Sequence, residues 1–342
     1  MISVLIVDDS PTVRAHVRSL LEEDPDILVI GEAAGGSAAV GACANLRPQV
    51  VTMDLIMPFG GGVQAIREIM HEIPTPIVVV SALAEDDSNQ TVFEALAAGA
   101  LMVVRRPPSR RHPDYEKRRR DLLDAVKAVA GIALVGRWTT AMPQPQLAPP
   151  ARPHSLSKLV GIGASTGGPA ALREIIQQLA ADFAPSIAIV QHMTPGFTAG
   201  FAEWLASGSR VPVRLAESGM TVPWKGVVVA PDHAHLAIRH GVISLEPTPA
   251  RNGHRPSVDE LFESMADWNS ARCIGVLMTG MGEDGAQGLA RLRRAGGRTI
   301  IQTEETSVVF GMPGAALRAG AAERALSPAG IAVALAALGE AA

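Results

Sequence analysis

Leu159-Val160-Gly161-Ile162-Gly163-Ala164-Ser165-Thr166-Gly167-Gly168-Pro169 is the stretch on which the fold turns. Its apolar start reads as a buried strand and Pro169 suits the first turn of a helix, so Ser165 falls on a strand-to-helix turn. Gly163 and Gly167 flank it as G-x-S-x-G. That spacing is a nucleophile elbow, in which small neighbours let the backbone turn sharply and lift a hydroxyl over the end of a sheet. A strand, a glycine turn and a helix start also build anion sites. The dinucleotide pattern G-x-G-x-x-G, however, breaks at Thr166, and no G-K-[ST] follows. On this stretch alone a reactive serine and a ligand-binding turn both stay open.

At 342 residues the chain is long enough for two domains at the usual ~150 residues each. Hydrophobic residues make up 47% and charged residues 19%, the balance of a folded, soluble protein. A net charge of -4 gives no global reason to expect nucleic acid as partner. Cys43 and Cys273 lie far apart in apolar segments, which argues against a disulfide framework or a zinc site. The opening MISVLIVDDS carries no basic n-region and soon meets acids, unlike a signal peptide, and no apolar run approaches the ~20 residues that span a bilayer. A cytoplasmic protein without membrane insertion is the expectation.

N-terminal to the elbow, strands and helices alternate. Strands are expected at Ser3–Val7, Ile27–Ile30, Val50–Met53, Ile77–Val80 and Leu101–Val104, with helices at Pro11–Leu21, Gly36–Asn45, Val63–Met70 and Thr91–Ala98. Such a (βα)5 run folds as a doubly wound parallel sheet whose ligands lie beyond the carboxyl ends of its strands. Asp8 and Asp9 follow the first strand, Asp54 the third and Ser81 the fourth. Three carboxylates on one rim repel each other, so a hard cation explains them better than separate capping and loop roles. Magnesium uses one or two carboxylates and leaves positions for water and phosphate oxygens.

Arg105 to Arg120 holds nine positive or potentially positive residues but no interleaved aromatic platform, so it reads as a solvated helix face and not as a nucleic-acid patch. A helical pattern over Asp121–Ala133 leads to a semi-extended linker with prolines at 143, 145, 149, 150 and 153. The domain plan is therefore 1–125, a helix tail and linker over 126–154, and 155–342.

In the last of these the alternation resumes. Strands are expected at Ser186–Gln191, Val211–Leu215, Gly226–Ala230, Cys273–Thr279 and Thr299–Gln302, with a hairpin over His235–Glu246 turning at His240-Gly241. Helices are expected at Ala170–Leu179, Phe197–Leu205, Val258–Trp268, Ala286–Ala295 and from Pro328 onward. The fold class is α/β, with two doubly wound domains, the second a mostly parallel, Rossmann-like sheet carrying a β-hairpin. Ser165, His192 and Asp284 each follow a strand and can meet on one rim. Serine needs a general base with a pKa near neutrality, which imidazole supplies, and a carboxylate on the far ring nitrogen fixes its tautomer. Amides of Thr166 and of the Gly280–Gly282 turn are candidates for an oxyanion hole. His233, His235, His240 and His254 are rival bases, though the first two lie in the hairpin region and His240 at a polar turn. For Asp284 the competing reading is a cap on the helix that follows it.

Around Asp8-Asp9, Asp54-Leu55-Ile56-Met57-Pro58 and Ser81, residues 1–125 resemble the phospho-acceptor receiver domains of bacterial response regulators. The resemblance implies phosphorylation at Asp54, Mg2+ held by Asp8, Asp9 and Asp54, and Ser81 against the phosphoryl oxygens. Arg106, just before Pro107, stands where that family carries a lysine, and the two differ in shape and hydration. Val103 replaces the usual Tyr or Phe, and Phe59-Gly60-Gly61-Gly62 lacks the usual acid before its last glycine.

Five separated motifs, Gly163–Pro169, Gln191-His192-Met193, Arg255–Asp259, Thr279–Ala286 and Val308–Pro313, resemble the catalytic domain of the chemotaxis protein-glutamate methylesterase family. That resemblance implies Ser165 as nucleophile, His192 as base and Asp284 as its orienting partner, with Met281 contributing to the oxyanion hole for which Thr166 is already a candidate. It implies glutamyl methyl esters on chemoreceptors as substrate, glutamine deamidation as a second reaction, no cofactor for the esterase, and a chemotaxis histidine kinase as phosphodonor. An unphosphorylated receiver covering the Ser165 rim is the regulation expected. Competing readings are a phosphorylation-dependent scaffold, a small-ester hydrolase and an adaptation esterase of a non-flagellar array. A DNA-binding regulator is opposed by the lack of a helix-turn-helix pattern after residue 155.

Overall fold

The computed structural model describes residues 1–57, 61–81, 89–132, 134 and 159–339. The chain divides into two compact units, Met1–Trp138 and Thr139–Ala342. Phe59-Gly60 and the expected proline-rich linker lie outside the described residues.

The first unit runs β1 (Ile2–Val7), α1 (Pro11–Leu21), β2 (Ile27–Ala33), α2 (Gly36–Leu46), β3 (Val50–Met53), α3 (Gly62–Glu72), β4 (Ile77–Ser81), α4 (Asn89–Ala97), β5 (Met102–Arg105) and α5 (Tyr115–Ala130). Its five strands are parallel in the order β2-β1-β3-β4-β5. β3 and β4 are buried along their whole length, as their Val-rich runs suit strands covered on both faces. The strand order reverses between β1 and β3, where a doubly wound sheet opens a crevice at its carboxyl edge. One expectation needs correction. The helix face expected over Arg105–Arg120 begins only at Tyr115, because Arg105 ends β5 and buried Tyr115 begins the apolar stripe that Leu122, Leu123, Val126 and Val129 continue. The basic run Lys117–Arg120 thus lies on the first turns of α5, with Arg118 paired to Asp114 and Arg119 to Glu23 and Glu116.

The second unit opens with β6 (Leu159–Ala164), α6 (Gly168–Gln178), β7 (Ser186–Gln191), α7 (Thr198–Ala206), β8 (Val213–Leu215) and β9 (Val227–Val229). The hairpin β10 (His235–Arg239) and β11 (Val242–Glu246) follows, then α8 (Val258–Asn269), β12 (Cys273–Leu277), α9 (Ala286–Arg294), β13 (Arg298–Gln302), α10 (Met312–Arg318), β14 (Arg324–Leu326) and α11 (Pro328–Gly339). Seven parallel strands are ordered β14-β13-β12-β6-β7-β9-β8, so β6 is central and the order reverses beside it. The hairpin turns at His240 (φ 52°) and Gly241 (φ 79°), both left-handed as a two-residue type I′ turn demands. α10 and β14 were not expected, since a seven-residue helix and a three-residue edge strand are too short to show a period.

The glycines of β6 bring α8 onto the sheet. A Cβ on Gly161 would lie 2.5 Å from Met265 Sδ, and one on Gly163 would lie 2.1 Å from Val258 Cγ1. Both side chains belong to the buried face of α8, which therefore starts directly over the end of the elbow strand.

Candidate active site

At the end of β6 the chain turns through Ser165 to Gly168, whose amide donates to the Ser165 carbonyl at 2.8 Å. Gly167, at φ 79° and ψ -8°, has the geometry of the third residue of a type II turn, which disfavours any side chain. A Cβ there would also meet Val308 at 2.6 Å. Ser165 is half-buried. The register pairs Ala164 with Gln191, and the His192 amide donates to the Ala164 carbonyl at 2.9 Å. Nucleophile and base candidates are therefore the next residues off two neighbouring parallel strands.

Asp284 arrives from the third strand of the rim. It comes seven residues after β12 ends, because the strand stops at Leu277 and not at the expected Thr279. His192 Nε2 lies 2.9 Å from Asp284 Oδ2, and both side chains are deeply buried. Asp284 does cap a helix, but α8 and not the α9 that follows it. Oδ2 accepts from the Val258 amide at 2.7 Å, and Oδ1 accepts from the Ser257 hydroxyl at 2.7 Å and the Asp259 amide at 3.3 Å. The two amides are orphan donors at the positive end of a helix dipole. Burial is the largest single influence on this carboxyl and pushes its pKa upward. The hydrogen bond and charge of His192, the Val258 amide and the Ser257 hydroxyl outweigh it and hold the group at about 2.

A carboxylate accepts only, so Nε2 carries the ring proton of neutral His192 and Nδ1 carries the lone pair. Nδ1 is buried and has no hydrogen-bond partner. The ring is thus turned relative to serine proteases, where Nδ1 faces the aspartate. His192 follows the strand beside the one that ends at Ser165, and its ring reaches Asp284 through the nitrogen farther from Cβ.

Of the rival histidines, His235 is fully engaged in support. Its Nδ1 accepts from the Ser257 amide at 3.1 Å and its Nε2 bonds the Pro249 carbonyl at 3.0 Å, so the buried ring fixes the residue that backs Asp284. His240 occupies the hairpin turn, and His233 has φ 66° in the loop before β10. His254 lies face to face on His192, with ring centroids 3.8 Å apart and planes 2° from parallel.

The oxyanion candidates separate by their amide partners. Ser165 N donates to the Thr279 carbonyl and Gly280 N to the Val309 carbonyl, both at 3.0 Å, which removes Gly280 from the expected set. Among the described residues the amides of Thr166 and Met281 donate no hydrogen bond. Gly280 instead anchors the turn: its carbonyl accepts from Gly311 and Met312, and its Cα lies against Ser165. A Cβ on Gly280 would lie 2.7 Å from Ser165 Cβ and 2.3 Å from Met312 Sδ. Gly280→Ala should therefore displace Ser165 and lower kcat about 10^2-fold with the fold retained, a comparison of steady-state rates and thermal melts checking both halves.

Gln191 and Ser257 carry parts that sequence reasoning did not assign. Gln191 is buried, and its Nε2 donates at 2.8 Å to the carbonyls of both Ser165 and His192, tying the two strand ends together. Its position inside Gln191-His192-Met193 was the only signal. Ser257 sits within the Arg255–Asp259 motif, where only the motif and not its role was legible.

In the first unit the rim forms as expected. Asp8, Asp9 and Asp54 have ligand oxygens within 4.8 Å of one another, with Asp8 and Asp54 buried and Asp9 exposed. Ser10, not Asp9, caps α1 through its hydroxyl. Burial, the largest influence, pushes Asp54 up to about 6 against the easing charge of Arg106, with Asp8 adding to the rise; Asp8 is raised for the same first reason. Buried, mutually repelling oxygens of this kind fit a hard divalent cation such as Mg2+. Arg106 Nη2 bridges Asp8 Oδ2 at 3.0 Å and Asp54 Oδ1 at 3.1 Å. Its amide donates to the carbonyl of buried Ser81 at 2.7 Å, which brings the ends of β4 and β5 to the same rim.

Residues 160–335 match the family described as CheB methylesterase, and residues 4–112 match the response regulator receiver domain. A protein-glutamate methylesterase/protein-glutamine glutaminase of Geobacter metallireducens is 45% identical over 343 residues, covering 99% of each chain. One from Myxococcus xanthus is 41% identical over 95% of this chain and 93% of its own. The crystal structure of the Thermotoga maritima CheB methylesterase catalytic domain superposes with a TM-score of 0.51 at 38% identity, covering 53% of this chain and 98% of that one. No described helix is long and apolar enough to cross a membrane. With a receiver domain ahead of a serine-bearing doubly wound domain, the chain belongs to the chemotaxis response-regulator protein-glutamate methylesterase (CheB) family of enzymes.

Proposed function

We propose that this chain hydrolyses glutamyl methyl esters on chemoreceptors through Ser165, His192 and Asp284, under control of phosphorylation at Asp54. The observation that carries the catalytic part is the His192 ring, bound to Asp284 through Nε2 and holding a buried, unpartnered Nδ1 beside the Ser165 turn.

Ser165 Oγ attacks the ester carbonyl carbon while its proton passes to His192 Nδ1. The resulting imidazolium is stabilised by the Asp284 carboxylate, and the tetrahedral oxyanion faces the amides of Thr166 and Met281. Collapse breaks the bond to the methoxy oxygen, which leaves as methanol with the proton from Nδ1. Water then attacks the acyl-serine, giving one proton to Nδ1, and the second collapse returns that proton to Ser165 and releases the glutamic acid side chain, which ionises by giving its remaining proton to solvent. Deamidation of a glutamine follows the same route with ammonia as the leaving group.

In the receiver unit Asp54 is the phosphoryl acceptor, and Asp8, Asp9 and Asp54 would hold Mg2+, which neutralises charge on the transferred phosphoryl group. Ser81 and Arg106 meet the phosphoryl oxygens, Arg106 by leaving the carboxylates it bridges. Phosphate adds charge and acceptor oxygens at this rim, and regulation follows only where the two states of the chain differ in free energy on receiving them. A chemotaxis histidine kinase is the donor implied.

Methylated receptor membranes supply the test. The intact chain should release methanol, and faster after phosphorylation. Asp54→Asn should take up no phosphoryl label in Mg2+ and should lose that acceleration while keeping the basal rate. Absence of methanol release by the intact chain under both conditions leaves the scaffold reading in its place.

A further inference from the structure

We propose that His254 is a positioning residue that holds the imidazole of His192 by a face-to-face stack and favours its cationic state over its neutral one. The proposal rests on the reading of His192 as the general base.

Geometry carries it. The two rings are 3.8 Å apart between centroids and 2° from parallel. Two neutral rings in such parallel contact gain only the modest attraction of an ordinary aromatic pair. A cation over a ring face adds an electrostatic attraction to it. The stack is therefore weakest when His192 is neutral and strongest when it has taken the Ser165 proton. An interaction that strengthens as the transition state forms raises kcat and leaves ground-state binding alone.

The loop carrying His254 is built to keep it there. Asn252 (φ 50°) and Gly253 (φ 83°) make a left-handed two-residue turn, closed by reciprocal bonds between Arg251 and His254 of 3.0 and 2.8 Å. Arg251 anchors that turn to α8 by ion pairs with Glu260 at 3.1 Å and Glu263 at 2.7 Å, and Asn252 donates to buried Asp259 at 3.2 Å. Because Asp284 caps the same helix, the carboxylate at one edge of His192 and the ring over its face share one support. His254 itself stays neutral: burial first, and then the charge of His192, lower its pKa to about 4.

The test compares His254→Ala and His254→Phe in the full-length protein. Phe keeps a planar face over His192 but cannot hydrogen-bond or titrate. Two readouts are taken: kcat and KM for methanol release, and the rate at which a fluorophosphonate probe labels Ser165. His254→Ala should lower kcat and the labelling rate about tenfold, equivalent to about 1.4 kcal/mol, with KM within twofold of the parent. His254→Phe should recover both rates to within threefold. A His254→Ala labelling rate within twofold of the parent, a loss confined to KM, or a His254→Phe variant as slow as His254→Ala overturns the proposal. Labelling does not depend on which ester is the substrate, so an intact chain that labels at Ser165 but releases no methanol removes the esterase reading and still decides the role of His254.

Discussion

Ser165→Ala is expected to slow methanol release about 10^6-fold, the loss found when the nucleophile of a catalytic triad is removed. The turn should survive the change. Its amide bond to Thr279, the Gly168 bond to its carbonyl and the Gln191 clamp are all backbone contacts of residue 165 that alanine keeps. The melting temperature should therefore stay within a few degrees of the parent. What disappears is the proposed nucleophile, while a proposed oxyanion hole at the amides of Thr166 and Met281 would leave a residual acceleration of about 10^3-fold over water. Steady-state rates with a thermal melt on the same sample separate this outcome from misfolding.

Asp284→Asn is expected to cost about 10^4-fold in kcat through the wrong tautomer. An asparagine amide nitrogen facing Nε2 would donate to it, forcing the ring proton onto Nδ1, where the lone pair must be. An amide oxygen facing Nε2 keeps the tautomer but turns the NH2 toward the Ser257 hydroxyl and the Asp259 amide, two donors that the carboxylate now satisfies. Either orientation breaks one of the two tasks that Asp284 performs. The variant should also lose stability near neutral pH. A carboxyl at about 2 in the fold and 3.8 when exposed stabilises the folded chain fully above 3.8, and that gain fades as pH falls toward 2. The stability difference between parent and variant, followed by denaturant titration, should shrink across that interval. A constant difference would mean that the carboxylate charge is not what α8 uses.

The elbow at Gly163–Gly167 and the alternation of strands and helices were legible because glycine spacing and apolar periodicity are local signals. The chemistry at strand ends followed from sheet topology, since ligands of doubly wound sheets gather where the order reverses. What escaped was nonlocal. Asp284 caps α8 through residues some 25 positions earlier in the chain, and no spacing rule links an aspartate to a helix it does not precede. The orientation of the His192 ring depends on strand register, the loss of the Gly280 amide on a pairing with Val309, and the stacking of His254 on a turn tethered to α8. The basic run spread the expected helix face back to Arg105, because its charges mask the one buried tyrosine at which the apolar stripe of α5 begins.

Ester cleavage through Ser165 requires a covalent acyl-enzyme. Acid quenching of the intact chain during turnover of a methylated receptor peptide, followed by mass spectrometry of the peptide that contains residue 165, would trap it. A glutamyl adduct on Ser165 is expected that is absent from Ser165→Ala and accumulates when Nδ1 of His192 is lost in His192→Gln supplied with imidazole and then depleted of it. Continued methanol release by Ser165→Ala at the parent rate, or an adduct on any other residue, would contradict it.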